Sequence, residues 1–280
     1  MSALSSVIAE LLRVWPKTPI NRVMGKLADH RWNPVVGRAV VDLYTRAYGI
    51  SFEECIKREG WSSFDEFFTR TLRPGVRPID PDPKVVVSPA DGRVDAIGRV
   101  EPGRRFLVKG QAYSVDELVG DSEEAARYEG GGGCVVYLSP RDYHRVHAPA
   151  GGVIRHVRSM PGEYYPVNEV GVTYVPKLFV RNRRVSIAID TPPETGLGCI
   201  TVVMVAALVV GRITVAGIDA HDVPLGLHKP GLPIARGDEI GIFHLGSTAV
   251  LFLEPSAFAF LRGEGPVLYG QSLARASRTE

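Results

Sequence analysis

The sequence predicts an α+β protein, with a helical N-terminal region followed by a mostly antiparallel, β-rich domain. Apolar residues recur at helical spacing within residues 1–71. Within residues 85–280, short Val- and Ile-rich runs instead alternate with Gly and Pro turns, a pattern typical of antiparallel strands. Four prolines lie within residues 72–84, between the two regions, and they predict a linker.

Four short helices are expected in the N-terminal region, because Pro16, Pro19 and Pro34 interrupt its apolar repeat. Ser62 or Ser63 is the expected N-cap of the last helix, since a serine hydroxyl can accept a hydrogen bond from a free backbone N–H of the first turn. The predicted helices cover residues 7–15, 20–27, 35–48 and 63–71.

The N-terminal helices are also basic. Residues 1–50 contain seven Lys and Arg residues against three acidic residues, and they include Trp15 and Trp32. Basic amphipathic helices that carry Trp can lie in a membrane interface, but a packed helical lobe with an ordinary solvated face explains the same pattern. Both interpretations stay open on composition alone.

Nine apolar runs predict the strands of the second region, and residues 115–128 predict one or two helical turns. The longest run, residues 200–210, is far shorter than the roughly 20 residues of a membrane-spanning helix, and its β-branched residues favour a buried strand. Glu10 interrupts the first apolar segment, so a secretory signal is not expected. The predicted strands are residues 85–87, 94–100, 134–138, 152–157, 185–189, 200–210, 213–216, 240–243 and 248–253.

Bulk composition excludes several classes of protein. Hydrophobic residues make up 45% and charged residues 23% of the 280 residues, which is ordinary for a soluble globular protein. The net charge of +2 is too small to indicate a nucleic-acid partner. Cys55, Cys134 and Cys199 are scattered and odd in number, so we expect a reducing compartment and neither a disulfide framework nor a zinc knuckle.

Two segments carry residues suited to chemistry. Asp91 and Gly92, within SPADGRV at residues 88–94, are by themselves most simply a turn. His144 and His147 lie three residues apart within YLSPRDYHRVHAP at residues 137–149, where the Ser-Pro pair predicts a loop. The two histidines could be metal ligands together with Asp91, a general acid and a general base, or packed side chains without a catalytic task.

A third segment, HLGSTAVLF at residues 244–252, places Gly-Ser-Thr at the beginning of an apolar strand. Glycine weakens a strand and usually marks a bulge or a close backbone approach. The Ser247 hydroxyl has a further option, because it can attack the carbonyl carbon of Gly246 when a base takes its proton and an acid protonates the leaving nitrogen. Elimination and hydrolysis would then leave a pyruvoyl group at residue 247.

In combination, these segments resemble the bacterial-type, pyruvoyl-dependent phosphatidylserine decarboxylases. The resemblance runs from about residue 64 to residue 253, through FDEFFTRTLRPGVRPID, SPADGRV, YLSPRDYHRVHAP, PGEYYPVN, LFVRNRRV and LGST. It implies a proenzyme that cuts itself between Gly246 and Ser247. It also implies that a pyruvoyl group made from Ser247 is the cofactor that converts phosphatidylserine to phosphatidylethanolamine.

The resemblance further implies roles for individual residues. Asp91, His147 and Ser247 would form the self-processing triad, in which His147 is the base on Ser247 and Asp91 fixes the tautomer of His147. His144 would serve the later decarboxylation. No metal ligand is implied.

A substrate-side loop is implied as well. PGEYYPVN would form this loop, with Tyr165 and Asn168 as substrate-binding residues, although Tyr164, Tyr165 and Pro166 are not the residues most common there in the family. Arg183 occupies a position where relatives often carry an acid.

The implied partners are phosphatidylserine, an anionic membrane surface and the chain's own short fragment, residues 247–280; a homodimer is left open. A lipid substrate favours the interfacial interpretation of the basic helices. We therefore expect a peripheral protein on the cytoplasmic face of the cell membrane. Its parts would be a membrane-associating helical region at residues 1–71, a linker at residues 72–84 and a catalytic domain at residues 85–280.

Two alternatives from other classes are weighed against this interpretation. The first is a zinc-dependent hydrolase that uses His144, His147 and Asp91 as ligands. The second is a membrane-bound binding module that cannot process itself, and it is disfavoured because all four catalytic positions are present.

Overall fold

The computed structural model describes residues 17–208, 212–255 and 258–276. Three helices form an N-terminal lobe: α1 (Lys17–Asp29), α2 (Pro34–Tyr48) and α3 (Phe64–Phe68). The predicted helix at residues 7–15 lies outside the described residues. Within the described ranges, none of the helices has the length and hydropathy required to cross a membrane.

Local sequence signals determine the ends of α2. The Asn33 side chain accepts a hydrogen bond from Val35 N (2.9 Å), and Pro34 occupies the first turn, where a missing N–H costs nothing. Gly49 ends the helix in the left-handed conformation, at φ 63°. The predicted helix at residues 35–48 is therefore confirmed.

Helix α3 begins as predicted and ends earlier than predicted. The Ser63 hydroxyl accepts a hydrogen bond from Glu66 N (3.1 Å) and so forms the N-cap. The helix ends at residue 68 instead of residue 71, because Arg70 turns away and donates to the carbonyls of residues 141 and 142 (2.7 and 3.0 Å). That contact ties the end of α3 to the loop before the two histidines.

The rest of the chain is rich in strands, and the predicted α+β class is confirmed. The described residues of this region also contain the helices α4 (Val115–Val119), α5 (Ser122–Ala126), α6 (Glu169–Tyr174) and α7 (Leu178–Arg181), with a 3-10 turn at Pro193–Thr195. The strands are β1 (Val85–Val87), β2 (Gly92–Arg99), β3 (Arg105–Val108), β4 (Gln111–Ser114), β5 (Gly132–Leu138), β6 (Arg145–His147), β7 (Gly152–Met160), β8 (Arg184–Asp190), β9 (Cys199–Ala206), β10 (Arg212–Val215), β11 (Gly226–His228), β12 (Leu232–Ile234), β13 (Glu239–His244), β14 (Ser247–Leu253), β15 (Phe258–Phe260), β16 (Gly265–Val267) and β17 (Ser272–Ala276).

A large antiparallel sheet forms the core. Its strands lie in the order β11–β7–β8–β9–β14–β5–β2–β16, and β12 also pairs with β7. Every residue of β9 is buried, and β14 lies between β9 and β5. The predicted strand at residues 200–210 is shorter than expected, because β9 ends at residue 206.

Smaller sheets flank this core. One has the order β10–β13–β6 and contains the segment between the two candidate histidines. A second has the order β1–β17–β15, and β3 and β4 form a hairpin. Since β13 is followed by β14 after only Leu245 and Gly246, the chain passes from a small sheet into the large one at the Gly-Ser pair.

The helical lobe and the segment after it pack against the sheets. Phe67 and Phe68 of α3 share one apolar cluster with Leu245, the residue before the Gly-Ser pair. Within the segment predicted as a linker, Leu72 and Arg77 are buried. This segment is therefore part of the packed structure.

Candidate functional site

The candidate residues meet at one edge of the large sheet. Ser247, at the beginning of β14, is the register partner of Leu138, at the end of β5. On the other side of β5, Arg93 of β2 is the partner of Tyr137. Asp91, Ser139 and Gly246 therefore lie just beyond the same edge, at the ends of three adjacent strands.

Gly92 allows this edge to close. Its φ is 157°, and a Cβ atom there would lie 2.2 Å from the carbonyl oxygen of Tyr137. No side chain fits at that distance, so the Asp-Gly turn predicted from the sequence also sets how closely β2 approaches β5.

The backbone before Ser247 is unusual. Leu245 and Gly246 both have positive φ, 87° and 35°. A left-handed conformation is common for glycine but costs a residue such as leucine about 1–3 kcal/mol. Ser247 follows at once as a central strand residue, paired with Leu138 and Ala206. The Gly246–Ser247 bond thus joins a strained turn to a firmly paired strand.

His144, just before β6, is fully buried. Its Nε2 donates to the Ser139 carbonyl (3.1 Å), its own carbonyl accepts from Phe243 N (3.0 Å), and its ring stacks on Phe68 at 4.1 Å. Burial, with a further effect of the Arg70 charge, lowers the pKa of His144 to about 3. The imidazole is therefore neutral near pH 7, with its proton on Nε2 and its lone pair on Nδ1.

His147 lies at the other end of the same segment, opposite Glu239 at the beginning of β13. Its Nδ1 donates to the Gly237 carbonyl (2.8 Å), so its Nε2 accepts from the Tyr143 hydroxyl (3.2 Å). The ring of Tyr269 stacks on it at 3.9 Å and 5°. Burial lowers the pKa of His147 as well.

Asp91 is buried but does not touch His147. Its carboxylate accepts from the Arg77 guanidinium (2.7 Å from Nη2) and from Tyr269 N (2.8 Å). The sequence predicted that Asp91 fixes the tautomer of His147, but the Gly237 carbonyl holds that ring nitrogen instead. Asp91 acts on His147 only through space and through Tyr269, which contacts both.

Arg77 and Tyr269 are functional candidates that the sequence reasoning missed. Arg77 bridges Asp91 and Glu54, and its side chain is only 5% exposed. The one sequence signal was its place inside the stretch FDEFFTRTLRPGVRPID. Tyr269 carried no signal, because its contacts are to residues more than 120 positions earlier in the chain.

The two histidines therefore differ in their distance from the Gly-Ser bond. Three residues of extended chain span roughly 10 Å. The His144 carbonyl is bonded to Phe243, three residues before Gly246, whereas His147 pairs with Glu239, seven residues before it. Of the two, His144 is therefore held at the end of β13 that is nearer to the bond.

An apolar cavity of about 460 Å³ opens beside Gly246. The helical lobe supplies most of its wall, and Pro140 and Leu208 supply the rest together with the turn before Ser247. Phe68, on which His144 stacks, also lines it. The cavity can take a hydrocarbon chain, and it ends at the candidate chemistry.

The predicted substrate residues, Tyr165 and Asn168, do not line this cavity. The Asn168 side chain caps α6 by accepting from Gly171 N (3.2 Å), and Tyr165 is buried under the Arg181 guanidinium. The nearest link is the Tyr165 carbonyl, which accepts from the backbone N–H of Leu208 (3.2 Å) in the cavity wall. Their role in substrate binding stays a prediction.

Arg183, at a position where an acid is common, is buried and ion-paired with Asp222 (2.9 Å). It also donates to the Val223 carbonyl. The Arg183 carbonyl accepts from Ala206 N (2.9 Å), and Ala206 is the register partner of Ser247, so Arg183 lies at the same end of the large sheet as the Gly-Ser pair.

A metal centre receives no support. Among the described residues, no group of three His, Cys, Asp or Glu side chains is arranged to hold a metal ion. His144 and His147 each bond through a ring nitrogen to a backbone carbonyl, and they are separated along β6. The zinc-hydrolase alternative therefore has no observation in its favour.

Comparison with known proteins is consistent with this geometry. The family model described as phosphatidylserine decarboxylase matches residues 64–275. A phosphatidylserine decarboxylase proenzyme of Anaeromyxobacter sp. (strain K) is 40% identical over 257 residues, covering 87% of this chain and 88% of the relative. Proenzymes of the same name from Myxococcus xanthus (strain DK1622) and Acinetobacter baumannii (strain SDF) are 41% and 39% identical, covering 88% and 92% of this chain and 89% and 92% of the relatives.

Proposed function

The chain belongs to the phosphatidylserine decarboxylase family, and we propose that it converts phosphatidylserine to phosphatidylethanolamine after cutting itself between Gly246 and Ser247. The resemblance inferred from the sequence motifs is confirmed. The observation that carries the proposal is the Gly246–Ser247 bond itself, which joins a left-handed turn to a central strand beside a buried, neutral histidine.

Self-processing would begin with attack of the Ser247 hydroxyl on the Gly246 carbonyl carbon. The hydroxyl proton passes to a base and returns to the leaving amide nitrogen, so that the peptide bond becomes an ester. Loss of the proton on the Ser247 Cα then expels the Gly246 carboxylate and leaves a dehydroalanine. Water hydrolyses this group, ammonia leaves, and residue 247 becomes a pyruvoyl group.

We assign the base to His144, where the sequence had predicted His147. His144 is neutral at physiological pH, and its hydrogen bond to Ser139 leaves the lone pair on Nδ1. It is bonded to Ser139, which follows the register partner of Ser247 on β5, and to Phe243, three residues before Gly246 on β13. The basic nitrogen of His147, by contrast, accepts the Tyr143 hydroxyl.

The left-handed turn supports cleavage at this bond. The strain of about 1–3 kcal/mol at Leu245 raises the energy of the uncut chain and is released when the peptide bond is broken. The paired strand that follows holds the attacking residue in place, so the reaction gains from intramolecular proximity.

A pyruvoyl group at residue 247 fits its surroundings. Gly246 and Phe68 line the apolar cavity, and Phe68 stacks on His144, so a group formed there would have an apolar wall with this histidine behind it. Such a group supplies an electron sink for decarboxylation of an amino-acid headgroup. The cavity holds hydrocarbon of the substrate and excludes water, and His144 delivers or accepts the proton there.

We assign His147 and Asp91 a supporting role, because their contacts hold other residues of the site in place. His147 accepts the Tyr143 hydroxyl and so holds the loop that carries His144. Asp91 neutralises the buried Arg77 and binds Tyr269 N, which keeps Tyr269 stacked on His147. Their effect on processing is through position.

The helical lobe would bring the enzyme to a membrane surface. Val35, Val36 and Leu43 of α2 are exposed, at 77%, 54% and 70%, on the same helix whose Val40 and Tyr44 line the apolar cavity. The lobe also carries exposed Arg31 and Arg38, and each basic residue near an anionic leaflet contributes about 1 kcal/mol. These exposed apolar and basic residues support our proposal that the lobe lies on anionic lipid and that the protein is peripheral, on the cytoplasmic face of the cell membrane.

The test of this proposal is a lipid assay. Purified protein mixed with phosphatidylserine in detergent micelles should produce phosphatidylethanolamine and CO₂, and Ser247→Ala should produce neither. Ser159→Ala, a buried serine on β7, three strands away from β14 in the large sheet, is the matched control and should keep full activity. Normal turnover by Ser247→Ala would refute the proposal.

A further inference from the structure

A second buried histidine lies close to the Gly-Ser bond and has no role in the chemistry above. His244 is three residues before Ser247 and only 8% exposed. Its Nδ1 donates to the two carboxylate oxygens of Asp65, at 2.8 and 3.0 Å, and its Nε2 lies 3.2 Å from the Thr214 hydroxyl. Asp65 belongs to α3, so this contact joins the helical lobe to the end of β13.

Arg212 extends the contact. Its guanidinium donates to Asp65 (2.8 Å) and, through the other nitrogen, to Asp29 at the end of α1 (2.6 Å). The side chains of Asp65 and Arg212 are 13% and 12% exposed. Hydrogen bonds between charged groups in such a poorly hydrated place are stronger than at the surface, and they hold a fixed geometry.

Helix α3 also contacts two further residues that matter for the proposed cleavage, Leu245 and His144. Phe67 and Phe68 pack in one cluster with Leu245, and Phe68 stacks on the His144 ring. Helix α3 thus holds the strained turn through Leu245, the end of β13 through His244, and the proposed base through Phe68. All three contacts come from the five residues of α3, and all three are to residues that we place around the Gly246–Ser247 bond.

We propose that Asp65 and His244 are positioning residues for self-cleavage: their hydrogen-bonded pair fixes the end of β13 on α3 and presents the Leu245-Gly246 turn to His144. This inference rests on the proposed cleavage after Gly246. Neither side chain touches the reacting atoms, because the Nδ1 of His244 faces Asp65 and its Nε2 faces Thr214. Without the pair, the turn is free to relax out of its left-handed conformation.

The pair also has a role after cleavage. Gly246 would then be a chain end only two residues beyond His244, and both Gly246 and Leu245 line the apolar cavity. The bond to Asp65 keeps that new end against α3 and so preserves the cavity wall. Loss of the pair should raise the KM for phosphatidylserine in whatever fraction is processed, with a smaller change in kcat.

The test compares substitutions that keep or remove the donor at the Nδ1 position. His244→Asn retains a side-chain nitrogen donor there, whereas His244→Leu removes it at similar size. Displacement of a reacting group by about 1 Å can cost a hundredfold in rate, so His244→Leu and Asp65→Ala should slow cleavage by about that factor. His244→Asn should stay within about threefold of the unchanged chain. Cleavage is followed by gel and mass after a pulse of cell-free synthesis.

Controls separate positioning from folding. Each substitution is also made with Ser247→Ala, which cannot be cut, and its unfolding by urea shows whether the fold survives. Asp29→Ala removes the outer contact of Arg212 and the contact of Asp29 with His221 (3.4 Å), leaves the Asp65–His244 pair intact and should cleave at the normal rate. Asp65→Asn keeps an acceptor for His244 and replaces Asp65→Ala if the latter fails to fold.

The outcomes distinguish this inference from the proposed function. Slow cleavage of His244→Leu with rescue by His244→Asn supports the pair. If the unchanged chain is cut and folded His244→Leu is cut equally fast, or His244→Asn is as slow as His244→Leu, the inference is wrong while the proposed function stands. If the unchanged chain is never cut after Gly246, both are overturned.

Discussion

The two ends of the segment from His144 to His147 lie in contrasting surroundings. The His144 end is apolar: the ring stacks on Phe68, and the adjoining cavity is lined by the helical lobe. The His147 end is polar, with Tyr143, Tyr269 and the buried Arg77–Asp91 pair around it. The first end is bonded to Ser139, which follows the register partner of Ser247, and to Phe243, three residues before Gly246.

This difference separates reacting groups from supporting groups. A base must lie within reach of the proton it removes, and we propose the neutral His144 because it is held nearer to the bond than His147. The polar end contains more charged groups and more hydrogen bonds, but its side chains bond to one another, as Arg77 does to Asp91 and Tyr143 to His147. We therefore assign the polar His147 end a supporting role, and we place the chemistry at the His144 end, which is nearer to the strained turn.

The largest expected effect is that of His144→Ala. Removing the proposed base should slow cleavage by about a thousandfold, so that the protein stays one chain on a denaturing gel. His228→Ala, on β11, is the matched control and should be cut normally. Normal cleavage of His144→Ala would place the base elsewhere and restore the division of roles predicted from the sequence.

The buried ion pair at the polar end gives the next effect. Arg77 and Asp91 are 5% and 7% exposed, and removing one partner leaves the other charge buried and uncompensated, at a cost of about 3–5 kcal/mol. In the Ser247→Ala chain, Arg77→Leu should lower the free energy of unfolding in urea by about that amount. The double substitution Arg77→Leu with Asp91→Leu should cost less than the sum of the two; strict additivity would show that the pair is not coupled.

His147→Ala should have a milder effect on cleavage than His144→Ala. Loss of the acceptor for Tyr143 loosens the loop, and we expect cleavage about tenfold slower, measured by gel over time. Tyr143→Phe removes the same hydrogen bond from the other side and should match it. A His147→Ala chain that is never cut, beside a His144→Ala chain that is, would reverse the comparison.

The sequence predicted the parts of this site but not their arrangement. The Asn33-Pro34 and Ser63 signals are local, so the beginnings of α2 and α3 could be inferred from the residues themselves. The motifs likewise located Asp91, both histidines and Ser247. Which histidine lies next to Gly246 depends on the pairing of β6 with β13, almost 100 residues later in the chain, and no local pattern encodes that register.

The missed residues have the same explanation. Arg77 lies in a proline-rich segment that looks like a solvated linker, and only its contact with Asp91 shows its burial. The Asp65–His244 pair joins positions 179 residues apart. Such contacts arise from tertiary packing, which overrides the local properties of the segments that supply them.

The last effect is on the pH dependence of stability. The pKa of His144 falls from 6.5 to about 3 on folding, mainly through burial, so between these values only the unfolded chain binds the proton. Its contribution to stability is therefore complete above pH 6.5 and is lost as the pH falls toward 3, by up to about 1.4 kcal/mol per pH unit. In the Ser247→Ala chain, His144→Asn should make the free energy of unfolding less steep in pH between 6 and 4.5. An unchanged slope would mean that the folded His144 binds protons normally.

The central claim, that the chain cuts itself after Gly246 and converts Ser247, is tested most directly by the intact mass of the purified protein. We predict two species, residues 1–246 and residues 247–280, with the short one lighter by one ammonia than a peptide that begins with serine. The Ser247→Ala protein, measured beside it, should give one full-length mass. A fully active enzyme that shows only the full-length mass, or a short fragment that still begins with an intact serine, would contradict this account.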